Sequence, residues 1–202
     1  MSAIQVRGQK TQSKIIQTAF ELFHKQGVNA TGLEEILKKS GTGKSQFYHY
    51  FKSKEDLIAA VVKDFCEKLC NRQLPVKYDI KSWKDLEQWF DFFIQYQDHI
   101  CCERGCPMAT IGYELTADNE PIRQEINRIF KLSIQPVTEF FKHLKSQGRL
   151  KPSTDPQALA ELCFITMQGG MLVSKVQKDT SSFKNSVHHL LSYLKSFQRK
   201  TR

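Results

Sequence analysis

Thr31-Gly-Leu-Glu-Glu-Ile-Leu-Lys-Lys-Ser40-Gly-Thr-Gly-Lys-Ser-Gln-Phe-Tyr-His-Tyr50-Phe-Lys-Ser-Lys-Glu-Asp-Leu57 is the stretch on which the reading of this chain turns. Thr31 and Glu34 make a capping-box pattern, and Leu33, Ile36 and Leu37 form one apolar stripe at helical spacing. Gly41 is a natural stop for that helix, because glycine takes the left-handed conformation without steric cost. Thr42 can cap a second short helix, with Phe47 and Phe51 turned inward and Lys44, Ser45, Gln46, Tyr48 and His49 turned out. Ser53 and Asp56 repeat the capping signature ahead of a longer helix. Two short helices about a glycine turn are the layout of a helix-turn-helix, whose second helix enters the DNA major groove.

Inside this stretch, Gly41-Thr42-Gly43-Lys44-Ser45 has the look of the end of a phosphate-binding loop. The full motif needs a glycine five residues before Gly43, where Lys38 stands, and a preceding strand, where residues 33–39 have helical periodicity. Without them the backbone cannot form the anion nest, so nucleotide hydrolysis is rejected.

The stretch resembles the TetR family of bacterial transcriptional regulators. Upstream, Lys14-Ile15-Ile16, Ala19, Leu22-Phe23 and Gly27 precede Thr31 at that family's usual spacing. The family's recognition-helix ending, aromatic-Tyr-x-aromatic-Phe and then Lys-x-Lys-x-x-Leu, stands here as Phe47-Tyr48-His49-Tyr50-Phe51 and Lys52-Ser53-Lys54-Glu55-Asp56-Leu57. The likeness covers roughly residues 10–65; beyond it TetR-like proteins share a helical ligand-binding and dimerisation domain but little sequence. It implies an all-α, nine-helix architecture.

Composition agrees with a DNA-binding regulator. The 202 residues carry a net charge of +9, and residues 1–54 hold nine basic side chains (Arg7, Lys10, Lys14, Lys25, Lys38, Lys39, Lys44, Lys52, Lys54) against Glu21, Glu34 and Glu35. Most of the excess charge therefore lies in the segment with the helix-turn-helix, as a phosphate-facing surface requires. Nothing resembles a signal peptide. The most apolar run, Leu162 to Val173, is shorter than the roughly 20 residues of a membrane span and is interrupted by Thr166, Gln168, Gly169 and Gly170. The expectation is a cytoplasmic protein without membrane association, its six cysteines reduced.

Periodicity and capping signals predict helices at roughly 10–26, 32–39, 43–50 and 54–73, then from Ser82 to about 99, from Pro107 to about 116, from Asn119 to Gly148, from Asp155-Pro156 to about 177, and from Ser181 or Ser182 to the basic tail. The expected organisation is a DNA-binding domain over 1–54 (motif about 32–51), a linking helix over 54–74, and an effector-binding and dimerisation domain over 75–202, with the break at Leu74-Pro75.

The resemblance places Lys44, Ser45, Gln46, Tyr48 and His49 on DNA-facing positions. Side-chain chemistry suits Lys44 to guanine, Gln46 to adenine, and Tyr48 and Tyr50 to the DNA backbone. Lys54 at a helix start is a candidate phosphate clamp, Thr31 is its counterpart at the second helix, and Thr42 completes the set. The alternative for His49 and Tyr50 is packing between helices. Gly43 departs from the bulkier residue common in the family, which leaves base preference open.

One such motif reads few base pairs, so a homodimer on a palindromic double-stranded operator is expected. Two apolar faces are available for pairing: Leu162, Ile165 and Gly169 on the eighth helix, and Val187, Leu190, Leu191 and Leu194 on the ninth. The resemblance implies a four-helix dimer interface from these two helices, although part of each face must be internal core.

Residues 76–150 are rich in aromatics, which at helical spacing are most often core. TetR-like regulators bind small molecules in this bundle, which makes Trp89, Phe93, Tyr96, Tyr113, Phe130, Gln135, Phe164 and Gln168 the candidate lining for an effector of unknown identity. Cys101-Cys102-Glu-Arg104-Gly-Cys106-Pro107-Met offers a different mechanism. With Pro107 at the first helical position, Cys106 falls at the N-cap, where the helix dipole and Arg104 favour a thiolate. The Gly-Cys-Pro turn resembles a subset of TetR-like regulators, some of which answer to electrophiles or oxidants. The alternative is a small buried cysteine in a tight turn. A third alternative is a soft-metal site, for which His99, Cys101, Cys102 and Cys106 could supply ligands with Cys66 and Cys70 one helical turn apart; the spacing is not a paired Cys-x-x-Cys arrangement, and no metal or cofactor is expected. His-Glu-x-x-His and Gly-x-Ser-x-Gly are absent, so no enzyme is expected. A non-specific architectural DNA-binding protein accounts for the charge but not for the large aromatic C-terminal half.

Overall fold

Capping side chains set where three of the helices begin in the computed structural model, which describes residues 3–199, with side chains from Gly8 onward. Ser53 accepts from the Asp56 N–H at 3.2 Å and opens α4 (Lys54–Cys70); Ser82 accepts from the Asp85 N–H at 3.1 Å and opens α5 (Trp83–His99). Asp155 accepts from the Gln157 N–H at 2.9 Å, with Pro156 in the first turn of α8 (Pro156–Gln177). The remaining helices are α1 (Ala3–Gln26), α2 (Leu33–Ser40), α3 (Lys44–Tyr50), α6 (Pro107–Tyr113), α7 (Glu120–Ser146, preceded by a 3-10 turn at Ala117–Asn119) and α9 (Ser181–Lys195). Among the described residues there are nine α-helices, no strand, and one antiparallel bridge between Leu150 and Gln198. The all-α expectation holds.

The boundaries differ from the sequence reading where local chemistry wins. α1 begins at Ala3 rather than near residue 10, through a segment whose polar residues lack apolar periodicity. α2 is capped by Gly32, not Thr31: the Thr31 side chain is buried and its hydroxyl donates to the Gly27 carbonyl at 2.6 Å, so the capping box with Glu34 does not form. α9 stops at Lys195, and the chain beyond it pairs with the loop before α8, Lys151 N–H to Phe197 O and Arg199 N–H to Arg149 O, both at 2.9 Å.

Two compact units result. The first comprises the residues up to Asn71 together with Pro107–Ile129; the second comprises Arg72–Cys106 and the chain from Phe130 onward. α6 and the first part of α7 belong with the N-terminal helices, and α1 packs on α2, α3, α4 and α6. Ile15, Ala19, Phe23, Ile36, Phe47, Leu57 and Val62 are sealed in the core of the first unit. In the second unit, α5, the rest of α7, α8 and α9 enclose Leu86, Phe90, Val137, Phe140, Phe141, Cys163, Phe183 and Leu194. Gly170 lets α8 and α9 approach, since a Cβ there would run into the Phe183 ring.

α8 is apolar on more than one side. By length and composition alone its 22 residues would suffice to cross a membrane, a test that a core helix of a globular protein also passes, and part of its most apolar stretch is buried within the protein.

Candidate nucleic-acid interface and effector region

The α2–α3 turn is built by two glycines with different tasks. Gly41 ends α2 in the left-handed region (φ 63), and the Thr42 N–H reaches back to the Leu37 carbonyl at 3.0 Å. Gly43, in extended conformation, is the N-cap of α3, and its N–H donates to Oε1 of Gln46 at 3.1 Å. Thr42 is thus not the cap; its hydroxyl shares a 2.7 Å hydrogen bond with Ser40. The residues that resembled a phosphate loop are this turn, with a helix rather than a strand before it.

α3 hangs from one side chain. Phe47 is fully buried and its ring lies 5.4 Å from that of Phe51. Anchoring that position leaves Lys44, Ser45, Gln46, Tyr48 and His49 on the outer surface, Tyr48 with 57% of its area exposed. Lys44 Nζ sits 3.5 Å from Glu34 Oε1; both side chains are well exposed, so this ion pair holds the lysine weakly and yields readily to a phosphate or base. Lys10 and Lys14 flank a shallow groove on α1 with Ser13 and Gln17, a feature that sequence reading registered only as charge.

Three candidates are not placed as expected. Thr31 is buried with its hydroxyl and N–H both donating within the fold, so it cannot face a phosphate. Lys54 is half-buried and its ammonium donates to the Val28 carbonyl at 2.6 Å, which ties the start of α4 to the α1–α2 corner. Tyr50 is half-buried with its ring 4.8 Å from that of its neighbour His49, which is itself exposed.

In the second unit the proposed effector lining divides. Phe130 and Phe164 meet with ring centroids 5.2 Å apart, Trp89 and Phe93 likewise at 5.2 Å, and Gln168 Nε2 donates to Cys106 Sγ at 3.5 Å. Phe93, Phe164 and Cys106 are partly buried against the core, Tyr96 is half-buried, and Trp89 is core. Gln135 is exposed, and Tyr113 belongs to the first unit with 76% of its area exposed. Their places on the helical turn put them on the solvent side, which composition does not reveal.

The cysteines sort by burial. Burial pushes the Cys163 thiol up to about 12; burial and then the Glu125 carboxylate do the same for Cys66; burial also raises Cys102. Cys106 is half-buried, with the Gln168 amide as donor to its sulfur.

The expected dimer face on α9 is internal: Val187, Leu190 and Leu194 are buried, and Leu191 packs against the same core. On α8, by contrast, Leu162, Ile165 and Gly169 are exposed, and they are joined by Leu172, Val173 and Val176, with Tyr193 exposed on α9. Positions 162, 165, 169, 172 and 176 repeat at helical spacing, so the α8 face expected from Leu162, Ile165 and Gly169 extends to Leu172 and Val176.

Comparison with known proteins agrees with this geometry. Residues 15–61 match the family described as bacterial regulatory proteins, tetR family, and residues 83–190 match the tetracyclin repressor-like C-terminal domain. An uncharacterized HTH-type transcriptional regulator in the lacX 3′ region of Lactococcus lactis subsp. lactis is 30% identical over 182 residues, covering 87% of this chain and 89% of its own. The HTH-type transcriptional repressor DhaR of Mycobacterium sp. is 22% identical over 167 residues, 82% of each chain. The crystal structure of regulatory protein TetR from Rhodobacter sphaeroides superposes with a TM-score of 0.78 at 21% identity, covering 90% of this chain and 97% of that one. With its helix-turn-helix and its C-terminal helical domain both matched, the chain belongs to the TetR family of DNA-binding transcriptional regulators, and it is not an enzyme.

Proposed function

We propose that the protein is a cytoplasmic repressor that binds a two-fold-symmetric operator as a homodimer and leaves it when a small molecule enters the second unit. The observation that carries the reading is the outer face of α3: Lys44, Ser45, Gln46, Tyr48 and His49 are exposed together while Phe47 beneath them is sealed. Lys44 offers three donors to guanine O6 and N7, Gln46 suits adenine once its cap to Gly43 opens, and Tyr48 and the hydroxyl of Ser45 suit phosphates. Lys44→Ala is expected to lower affinity for the operator by ~1–3 kcal/mol and relax the preference at the contacted base pair. Titration of the variant against a duplex selected by the wild type from a random pool measures this; unchanged affinity would remove Lys44 from the base-reading set.

The partly buried Phe93, Phe130 and Phe164 with Gln168 are the residues to which we assign an effector, one apolar enough to sit among phenyl rings and able to accept or donate one hydrogen bond. A second reading, in which Cys106 senses electrophiles, is favoured by the Gln168 amide directed at its sulfur, a donor that stabilises a thiolate more than a thiol. Treating the operator complex with a mild thiol-reactive electrophile separates the two. Under the thiol reading, the footprint disappears, returns with reductant if the adduct is reversible, and persists in Cys106→Ser. A footprint that survives treatment of the wild type leaves the non-covalent effector.

A further inference from the structure

We propose that Glu114, just beyond α6, is a positioning residue for DNA recognition: its carboxylate holds the α1–α2 corner in the shape that seats the helix-turn-helix. The inference rests on the specific DNA reading by α3 stated above.

The corner, residues 27–31, joins α1 to the first helix of the DNA-binding motif. Gly27 turns it in the left-handed region (φ 88), and several of the backbone groups there are bound, from different directions. The Gly27 N–H donates to Phe23 O at 2.9 Å, and Gly27 O accepts from the Thr31 hydroxyl at 2.6 Å. Val28 O accepts from the Thr31 N–H at 3.1 Å and from the Lys54 ammonium at 2.6 Å. Ala30 O accepts from Gln26 Nε2 at 3.3 Å. The Asn29 N–H donates to Oε2 of Glu114 at 2.6 Å, across 85 residues of sequence. The other carboxylate oxygen fills the space beside Gly27, where a Cβ would collide with it. Gly27 is therefore suited to the corner by its dihedral angle, and its missing Cβ leaves the Glu114 carboxylate this place.

A carboxylate accepting a backbone N–H at this length is a charge-assisted bond, about twice as strong as a neutral one. It fixes the corner between α1 and Gly32, the N-cap of α2, and through α2 and the Gly41 turn it bears on α3. α6 is held against α1 within the same unit, with Met108 and Ile111 buried, so the anchor is rigid. Its charge, moreover, opposes DNA binding in general, because any acid near the phosphates costs affinity. A positioning role and an electrostatic role thus have opposite signs.

The test compares Glu114→Ala and Glu114→Gln with the wild type on two duplexes, one selected by the wild type from a random pool and one of mixed sequence. Glu114→Ala is expected to lose about tenfold on the selected duplex, the loss that corresponds to one charge-assisted hydrogen bond, while binding the mixed-sequence duplex as well as the wild type or better. Glu114→Gln keeps a neutral acceptor oxygen, about half as strong, and is expected to recover about threefold of the selected-duplex affinity. Undiminished affinity of Glu114→Ala for the selected duplex would overturn the proposal. So would parallel loss on both duplexes with loss of helical circular dichroism, which marks a purely structural residue. A wild type that selected no sequence would instead overturn the reading of α3 itself.

Discussion

Replacing Ile165 and Val176 together by aspartate is expected to yield a folded monomer whose affinity for a two-fold operator falls by about 10²–10⁴-fold, the gain that joining two binding modules confers. Both side chains belong to α8 but contribute little to the interior, with 66% and 74% of their areas exposed, so the core of the second unit is left intact. Two buried aspartates facing their counterparts in a second copy would lack partners, and the cost of burying unpaired charge prevents association. Sedimentation equilibrium and an operator titration read the two consequences separately. A variant that stays dimeric would show that the outer face of α8 is not the interface. A monomer that retains full operator affinity would show that pairing is not needed for recognition.

The second large effect concerns stability. Phe47→Ala is expected to cost ~3–5 kcal/mol, because a fully buried phenyl ring is lost and the surrounding helices cannot collapse into its volume. Against a typical domain stability of about 5–15 kcal/mol, this leaves α3 poorly held. Urea denaturation followed by circular dichroism should show the loss, with operator binding lost in parallel. Tyr48→Ala, one residue away and mostly exposed, is the control: its stability should change by no more than about 0.5 kcal/mol while operator affinity falls. If the two variants were equally stable, Phe47 would not be the anchor from which the outer face of α3 is displayed.

Adjacent residues with such different expected effects illustrate what a linear sequence conveys well. Helical period alone separates Phe47 from Tyr48, and the capping roles of Ser53, Ser82 and Asp155 were legible because a cap acts on a backbone N–H two or three residues away. Where two local solutions compete, the reading erred. Thr31 has the chemistry of an N-cap, yet a bond to Gly27 O and full burial claim its hydroxyl, and Gly32 takes the cap. Thr42 and Gly43 repeat the pattern at α3, where Gln46 closes the cap from the far side.

By itself the sequence determined the helical class, the helix-turn-helix with its outward residues, and the basic charge around it. All of these follow from contacts within a few residues and from side-chain periodicity. Only the tertiary structure decided which of two apolar stripes on α8 is core and that Val187, Leu190 and Leu194 lie inside. It also decided that Gln135 and Tyr113 face solvent and that Glu114 reaches the α1–α2 corner. Each of these depends on which helix comes to lie against which. An apolar or acidic side chain carries no mark of the partner it meets 85 residues away, and the helix packing that brings the two together settles its role.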